Sequence, residues 1–361
     1  MRQYHTLLKE ILSNGDVMYE PRTEEHTIGL GGWQSIYDLR EGFPLVTTKH
    51  VSSRLVFEEL FWKMRGEHSV KPLFDRDVHI WDANAFDHYL KTNNLKNKFP
   101  KHTPEWEEEF EKFKDDIRDG IDPHNKGELG PVYGYQWRRG FRVKPEIGEV
   151  IDQLDNVIKS IKEKPGSRYH IISAWNPSDL PSSAIGPCPM IHQFSVFGKN
   201  LDLNTYQRSC DVFLGVPFNI AQESMFNHMM AQETGLIARK FIHSYGNVHS
   251  YLGVPPRSDF WNYEKNVKEF QGRFKEIGNN QDYLNLREWY LNRVSPESSG
   301  NERKDHIPFI LEQLSKDMRE LPKIEMKGVP LYDAINMSPK EVAQIKNYNP
   351  HKWDSQAVMA A

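Results

Sequence analysis

The run from Tyr206 to Asn219 combines side chains that could hold an anion at one end and read a heterocyclic base at the other. Its sequence is Tyr-Gln-Arg-Ser-Cys-Asp-Val-Phe-Leu-Gly-Val-Pro-Phe-Asn. Arg208 supplies a planar fork of donors that suits phosphate oxygens, and Ser209 adds a hydroxyl. Asn219 both donates and accepts hydrogen bonds, which matches the edge of uracil, whereas a carboxylate would suit cytosine. The run therefore predicts a site for a uridine nucleotide.

Short fragments elsewhere in the chain extend this pattern. Before the run they are Arg22-Thr23, residues 38–49 with Gly42-Phe43-Pro44-Leu45-Val46-Thr47-Thr48-Lys49, Glu59-Leu60-Phe61-Trp62, Ile80-Trp81-Asp82, Gly130-Pro131-Val132-Tyr133-Gly134, Ser167-Arg168, Ser173-Ala174-Trp175-Asn176 and Gly186-Pro187-Cys188. After it they are His249-Ser250-Tyr251, Leu321-Pro322-Lys323-Ile324 and Tyr348-Asn349-Pro350-His351. In type and order these fragments resemble thymidylate synthase. The resemblance implies an α/β (α+β) fold, with a mixed β-sheet packed against helices, in one domain (residues 1–361) that forms a homodimer.

The resemblance makes Cys188 the nucleophile, since Gly186-Pro187 before it is similar to the family's catalytic turn. Uracil carries no leaving group at ring carbon 5, but a thiolate that adds to carbon 6 makes carbon 5 nucleophilic, which is covalent catalysis. Arg208 is by resemblance the neighbouring cation that favours the thiolate. Cys210 is expected to be a small buried hydrophobe. A Cys–His hydrolase built on Cys188 and His249 is an alternative, but it leaves the phosphate-binding and base-binding fragments unexplained.

The resemblance also distributes the remaining site residues between two substrates. Glu59 is expected to act through water as general acid and base, and the predicted catalytic residues are Cys188, Glu59, Arg208, Tyr133 and Asn219. The predicted nucleotide-binding residues are Arg22, Arg168, Arg208, Ser209, Asp211, Asn219, His249 and Tyr251. The predicted folate-binding residues, for the carbon donor 5,10-methylenetetrahydrofolate, are Lys49, Trp81, Asp211, Gly215 and Phe218. Arg168 is expected to reach the partner subunit's site, and Tyr169 stands where the family has a second phosphate-binding arginine.

The product is either a methyl or a hydroxymethyl group on carbon 5. Both reactions pass through a methylene intermediate that hydride or water converts, so residues that admit or exclude water decide the outcome. Pro189, Asn84 and residues 245–249 depart from thymidylate synthase and look more like the phage nucleotide hydroxymethylases. With Asn219 as the pyrimidine selector, the sequence predicts a deoxyuridylate (dUMP) hydroxymethylase. The alternatives are a thymidylate synthase that makes dTMP, and a non-catalytic nucleotide-binding paralogue, which the intact catalytic set disfavours.

Composition excludes several other classes of function. The 46 Lys and Arg against 50 Asp and Glu give a net charge of −4, which is not the basic surface that nucleic acid requires. The sequence has no apolar run near the roughly 18 residues of a membrane span, and its N-terminus has no apolar signal segment. A cytoplasmic protein is therefore expected, in a host cytoplasm if phage-encoded. Two cysteines exclude a disulfide framework, and no histidine spacing indicates a metal site.

Apolar periodicity predicts the elements that position these residues. Helices are expected from Tyr4 to Asn14-Gly15, from Phe57 to about Gly66, from Val150 to Ile161 and from Pro217 to Gly235. Strands are expected at Tyr169–Trp175, Met190–Phe197 and Leu201–Arg208, with a hairpin turn at Gly198-Lys199-Asn200 between the last two.

Two segments are predicted to be insertions relative to the family. In the first, at about residues 88–127, Trp106, Phe110, Phe113 and Ile117 form an apolar stripe on an acidic helix. This stripe is typical of a solvated helix packed on the rim of the protein, and a partner-docking helix is the alternative. The second segment, at about residues 252–305, is polar and is expected to be a surface excursion.

Overall fold

A six-stranded sheet in the strand order β1-β2-β8-β7-β6-β5 organises the computed structural model of the chain. The structure describes residues 1–21, 25–101, 103–121, 126–143, 148–297 and 304–352. The strands are β1 (Asp16–Glu20), β2 (Glu25–Asp38), β3 (Phe141–Val143), β4 (Glu149–Ile151), β5 (Ile171–Ser173), β6 (Pro189–Phe197), β7 (Asn200–Asp211), β8 (Ile237–Tyr251), β9 (Lys323–Met326) and β10 (Ala343–Lys346). Strands β3–β4 and β9–β10 form two separate antiparallel pairs. The predicted mixed α/β architecture is confirmed.

Thirteen helices accompany these strands in the described part of the chain. They are α1 (Arg2–Asn14), α2 (Ser53–Arg65), α3 (Lys71–Phe74), α4 (Asp82–Thr92), α5 (Pro104–Arg118), α6 (Tyr133–Arg138), α7 (Gln153–Glu163), α8 (Gly215–Thr234), α9 (Glu264–Lys275), α10 (Asn280–Leu291), α11 (Ile307–Leu314), α12 (Leu331–Ala334) and α13 (Pro339–Val342). The predicted helix ends are confirmed at Asn14 and at Gly66, whose positive φ of 78° suits a glycine cap.

The pairing of β7 with β8 is the parallel one in a sheet whose other neighbours run antiparallel. Because parallel neighbours need a crossover connection, α8 passes over one face of the sheet between them. Residues 206–219 therefore occupy the end of β7, a short turn and the first turn of α8. This strand–turn–helix arrangement brings the chemistry-bearing residues of the run to one edge of the sheet.

Helix α8 is buried on nearly all sides because it lies between the sheet and α2. Met225, Phe226 and Met229 are among its buried residues, which confirms the prediction of a long core helix there. The helix begins at Gly215, two residues earlier than predicted, and ends at Gly235 with a φ of 70°. A rigid helix in this position fixes whatever its first turns carry.

Two predicted element boundaries were wrong. Val150 and Ile151 belong to β4, and the helix expected from Val150 begins only at Gln153. The Asp152 side chain accepts a hydrogen bond from the Asp155 N–H, so it caps the helix at this point and separates it from the strand. The strand expected at Tyr169–Trp175 is confined to its central residues, Ile171–Ser173.

The first predicted insertion packs its apolar stripe against the chain itself. Trp106, Phe113 and Ile117 of α5 are buried, and Phe86 of α4 contacts the rings of Trp106 and Phe113. Four acidic residues of α5, at positions 105, 107, 108 and 111, are exposed. The stripe is consequently a core face, as expected of a solvated helix on the rim.

The second predicted insertion is more ordered than a surface excursion. Its residues 264–291 form α9 and α10, whose rings pack into an aromatic cluster that includes Trp261, Phe270 and Tyr290. Arg257 pairs with the fully buried Asp305 at 2.9 Å, and Tyr290 donates to the same carboxylate. The polar composition of this segment did not reveal that its aromatic residues join the hydrophobic core.

Candidate active site

Arg208 holds the turn that carries Cys188. Its Nε and Nη2 donate to the carbonyls of Pro187 and Gly186 at 3.0 and 2.5 Å, and its backbone N–H donates to the carbonyl of Cys188 at 2.9 Å. Nη2 also lies 3.8 Å from the Cys188 sulfur. The structure therefore places a cation beside the predicted nucleophile, and the half-buried Cys188 is accessible where Cys210 is fully enclosed.

Tyr133 lies on the other side of this turn, at the start of α6. Its hydroxyl accepts a hydrogen bond from the Cys188 N–H at 3.0 Å. Burial, followed by the charge of Cys188, raises the pKa of Tyr133 well above its ordinary value. The phenol therefore keeps its proton at neutral pH and is available as a donor next to the nucleophile.

Glu59 is buried in α2, and three side chains fix its carboxylate. Oε1 accepts from Trp81 Nε1 at 2.9 Å and lies 3.3 Å from Lys63 Nζ. Oε2 accepts from Gln222 Nε2 at 2.6 Å. The Trp81 ring also contacts Tyr133. Trp81, predicted on the folate side, is thus brought directly to the predicted acid and base.

The carboxamide of Asn219 has a fixed orientation. His243 is neutral because burial lowers its pKa to about 3, and its Nε2 bonds to Gln207 Oε1 at 2.8 Å. That contact turns the Gln207 amide nitrogen toward Asn219, whose Oδ1 accepts from it at 3.0 Å. The Asn219 amide nitrogen is then left to donate elsewhere. Gln207 and His243 cannot be recognised from the sequence as site residues, because each acts through a partner on another element.

Asp211, Lys49 and His306 meet beyond the end of β7. Asp211 Oδ1 accepts from the Phe213 N–H at 2.8 Å and lies 3.5 Å from His306 Nδ1. Burial opposes ionisation of Asp211, but His306 and the backbone donor outweigh it and lower the pKa. Lys49 Nζ donates to the Phe213 carbonyl and lies 3.8 Å from the centroid of its ring. Burial lowers the pKa of Lys49 to about 7, with Asp211 acting in the opposite direction.

The end of β8 carries two of the predicted nucleotide-binding residues, His249 and Tyr251. His249 is in register with Asp211 across the parallel strands, and its carbonyl accepts from the Val212 N–H at 2.7 Å. The ring of Tyr251 contacts that of His249 edge to face, and Ser209 is in register with Asn247 on the same strand pair. Gly215 and Phe218 follow in the first turn of α8, with Phe218 half-buried.

Arg168 and Arg22 stand apart from this group. Arg168 is exposed in the loop before β5, where its carbonyl accepts from Gln193, and Tyr169 beside it is 88% exposed. Arg22 and residues 353–361 lie outside the described residues. Among the residues that are described, no cluster of three His, Cys, Asp or Glu could hold a metal ion, and no helix is long and apolar enough to cross a membrane.

Comparison with known proteins agrees with this arrangement. The profile of the family described as Thymidylate synthase matches residues 2–360. The chain belongs to the thymidylate synthase family. It is 41% identical over 263 residues to a thymidylate synthase from Listeria monocytogenes serotype 4a (strain HCC23), which covers 70% of this chain and 82% of the relative. It is 42% identical over 254 residues to a thymidylate synthase from Malacoplasma penetrans (strain HF-2), covering 70% and 81%.

Membership of the thymidylate synthase family implies two substrates. Enzymes of this family are transferases that act on dUMP and use methylenetetrahydrofolate as co-substrate. The structure brings Cys188, Arg208, Tyr133 and Glu59 into one connected group, and Asp211 and Lys49 into a second. The names of the relatives favour the methyl-transferring alternative over the hydroxymethylase that the sequence predicted.

Proposed function

We propose that the protein is a thymidylate synthase, which transfers a one-carbon unit from 5,10-methylenetetrahydrofolate to carbon 5 of dUMP and reduces it to a methyl group. The 3.8 Å contact between Arg208 and the Cys188 sulfur carries this proposal, because substitution on uracil requires a sulfur nucleophile and a neighbouring cation is the setting in which such nucleophiles occur. Relatives that cover 70% of the chain are named for the same activity.

Each catalytic side chain has a step that its geometry supports. Cys188 adds to carbon 6 of the base, and the electron pair moves onto the carbon 4 oxygen. Neutral Tyr133 stays beside the adduct as a donor, and the Glu59 carboxylate accepts the proton that leaves carbon 5 after the one-carbon unit has been bound. Loss of that proton breaks the bond between the one-carbon unit and the folate nitrogen, so that tetrahydrofolate departs and a methylene group remains on carbon 5. Hydride from the tetrahydrofolate then adds to this methylene, the Cys188 thiolate is expelled from carbon 6 as the ring double bond is restored, and the folate is left as dihydrofolate.

The Asn219 orientation favours uracil over cytosine. Gln207 holds Asn219 Oδ1 in place, so the amide nitrogen can donate to a carbonyl at carbon 4, and Oδ1 retains a second lone pair for the ring N–H. Cytosine presents the reverse pattern, which would require the amide to turn over and break its bond to Gln207. The substrate is therefore assigned as dUMP.

A hydroxymethyl product is the second candidate, and the position of Pro189 favours it. Pro189 follows the nucleophile and pairs with Gln207, the residue that holds Asn219. In this proposal Pro189 lies beside the reacting base, so its difference from the family changes the access of water to the methylene intermediate. The hydroxymethylase would use the same covalent adduct and the same carbon donor.

Product analysis decides between the two reactions. The protein is incubated with dUMP and methylenetetrahydrofolate, the nucleotide is identified by mass, and oxidation of the folate is followed by its absorbance. We expect dTMP and dihydrofolate in equal amounts. Hydroxymethyl-dUMP with tetrahydrofolate would establish the second candidate, and the absence of any one-carbon transfer would refute both.

The same proposal includes a homodimer formed through the outer face of the sheet. Ile191 and Tyr206 are paired on that face and are 37% and 42% exposed, and Ile36 on β2 is 45% exposed. The Gln193 side chain, which contacts Arg168, belongs to the same face. A partner subunit that covers this face would lie with its nucleotide site near Arg168 of the first subunit. Light scattering of the purified protein tests the dimer, and a monomer at micromolar concentration would contradict it.

A further inference from the structure

Lys63 is a buried cation in direct contact with the predicted acid and base. It is 4% exposed and lies one helical turn after Glu59 on α2, with its Nζ 3.3 Å from Glu59 Oε1. The same Nζ donates to Gln222 Oε1 at 2.7 Å and stands 4.6 Å from the centroid of the Tyr133 ring. One ammonium group therefore touches three residues that line or support the reacting centre.

Stability alone does not explain a lysine at this position. Transfer of an ammonium group out of water is costly, and a buried ion pair is often no more stabilising than well-packed apolar residues of similar volume. The buried charge is balanced by Glu59 at 3.3 Å, so Lys63 and Glu59 are retained as a pair rather than as independent contributions to stability. A contribution to the chemistry of Glu59 accounts for the charge.

Lys63 also fixes the orientation of the Glu59 carboxylate. Because Gln222 Oε1 accepts from Lys63, its Nε2 must face Glu59 Oε2, to which it donates at 2.6 Å. Trp81 and Lys63 together occupy Oε1. A carboxylate has about four acceptor positions, and the described contacts use three of them. The fourth, on Oε2, is the one left for a proton or a water molecule at the substrate.

We propose that Lys63 is a positioning residue for the one-carbon transfer, which holds the Glu59 side chain in the orientation of a proton acceptor. This inference rests on the proposed function. Lys63 acts on Glu59 both directly and through Gln222, and it lies over the ring of Tyr133 as a cation–π contact. It makes no described contact with Cys188, so the formation of the thiolate does not depend on it.

The test compares Lys63→Met, Lys63→Gln, Glu59→Gln and the double variant Lys63→Met/Glu59→Gln with wild type. Lys63→Met removes the charge and the donor, whereas Lys63→Gln keeps a donor for Gln222. Lys162→Met is the matched control, because Lys162 pairs with Glu233 at 2.7 Å on the surface. For each protein kcat, KM for dUMP, the rate of Cys188 alkylation and the melting temperature are measured.

We expect Lys63→Met and Lys63→Gln to lower kcat by about 10-fold to 100-fold, a part of the usual contribution of acid–base catalysis. KM for dUMP and the alkylation rate should stay near the wild-type values, which a merely structural defect would not allow. In the Glu59→Gln background Lys63→Met should cause no further loss, because a positioning residue has nothing left to act on.

Two results would overturn this assignment. One is a wild-type kcat in a folded Lys63 variant, and the other is a second, multiplicative loss in the double variant. The double variant removes both charges, so it avoids an unpaired buried carboxylate and gives an answer even where Lys63→Met fails to fold. A wild-type protein without any one-carbon transfer would refute the proposed function instead, so the two failures are distinguishable.

Discussion

The buried ammonium of Lys49 predicts how the stability of the protein depends on pH. Lys49 is 6% exposed, and burial lowers its pKa to about 7. In the unfolded chain the same group titrates near its reference value of about 10.4. Between these two values the unfolded state binds more protons than the folded state. The free energy of unfolding must therefore rise with pH through this window.

The magnitude follows from the two pKa values. The penalty for Lys49 is fully present below about pH 7 and is relieved progressively up to about pH 10.4. It amounts to about 4 kcal/mol at pH 7 and about 2 kcal/mol at pH 9. Replacement of Lys49 by methionine removes the penalty, because the new side chain fills the same space without a charge. Lys49→Met should be more stable than wild type at pH 7, and its advantage should shrink by about 2 kcal/mol at pH 9.

Urea unfolding of both proteins at pH 7, 8 and 9 measures this difference. Groups that titrate in the same range elsewhere in the chain affect wild type and variant equally, so they cancel. The exposed Lys162 provides the control, since Lys162→Met should show a pH-independent difference from wild type. A constant difference between wild type and Lys49→Met would refute the reasoning, because it would mean that Lys49 keeps its proton in the folded state.

Three further predictions concern the reaction. Cys188→Ala should abolish both the exchange of the carbon 5 hydrogen and product formation, whereas Cys210→Ala should keep activity and lose about 1–2 kcal/mol of stability; the reverse result would mean that the wrong cysteine was chosen. Asn219→Asp should move the ratio of kcat/KM from dUMP toward dCMP by about 1–3 kcal/mol, the cost of an unsatisfied buried group, and an unchanged ratio would show that Asn219 does not face the base. Arg168→Ala should weaken dUMP binding by about 1.5–3 kcal/mol. Heterodimers formed by mixing the Arg168→Ala and Cys188→Ala proteins should regain activity. A lack of recovery in confirmed heterodimers would contradict the shared site.

Local signals in the sequence were sufficient to predict the helices that carry site residues. The spacing of apolar residues and the glycine after Arg65 predicted α2, and the apolar run after Pro217 predicted α8. The signals failed where two element types meet. Val150 and Ile151 fit the helical period of α7, but pairing with β3 made them a strand, and such pairing is a contact that periodicity does not encode.

The contacts among site residues were predictable only where a family pattern joined distant fragments. Cys188 and Arg208 were assigned together in this way, and the structure places them together. Lys63 and Gln222 belong to no such pattern. A lysine within the apolar face of α2 is a recognisable signal, but Gln222, to which it donates, is 159 residues away. From the sequence alone a lysine in an apolar helix face can be recognised as unusual, but the residues that it contacts cannot be identified.

Helix α8 explains why these polar groups can function inside the core. Asn219, Gln222 and Glu223 are spaced three and four residues apart, which places them on one face of the helix. Surrounding elements bind all three: Gln207 of β7 bonds to Asn219, α2 bonds to Gln222, and His192 of β6 and Thr205 of β7 bond to Glu223. A buried polar group without a partner would cost about 1–3 kcal/mol, so every member needs the others in place. The helix that joins the parallel strands thereby links Asn219 to Glu59, which in the proposed function couples recognition of the base to the position of the proton acceptor.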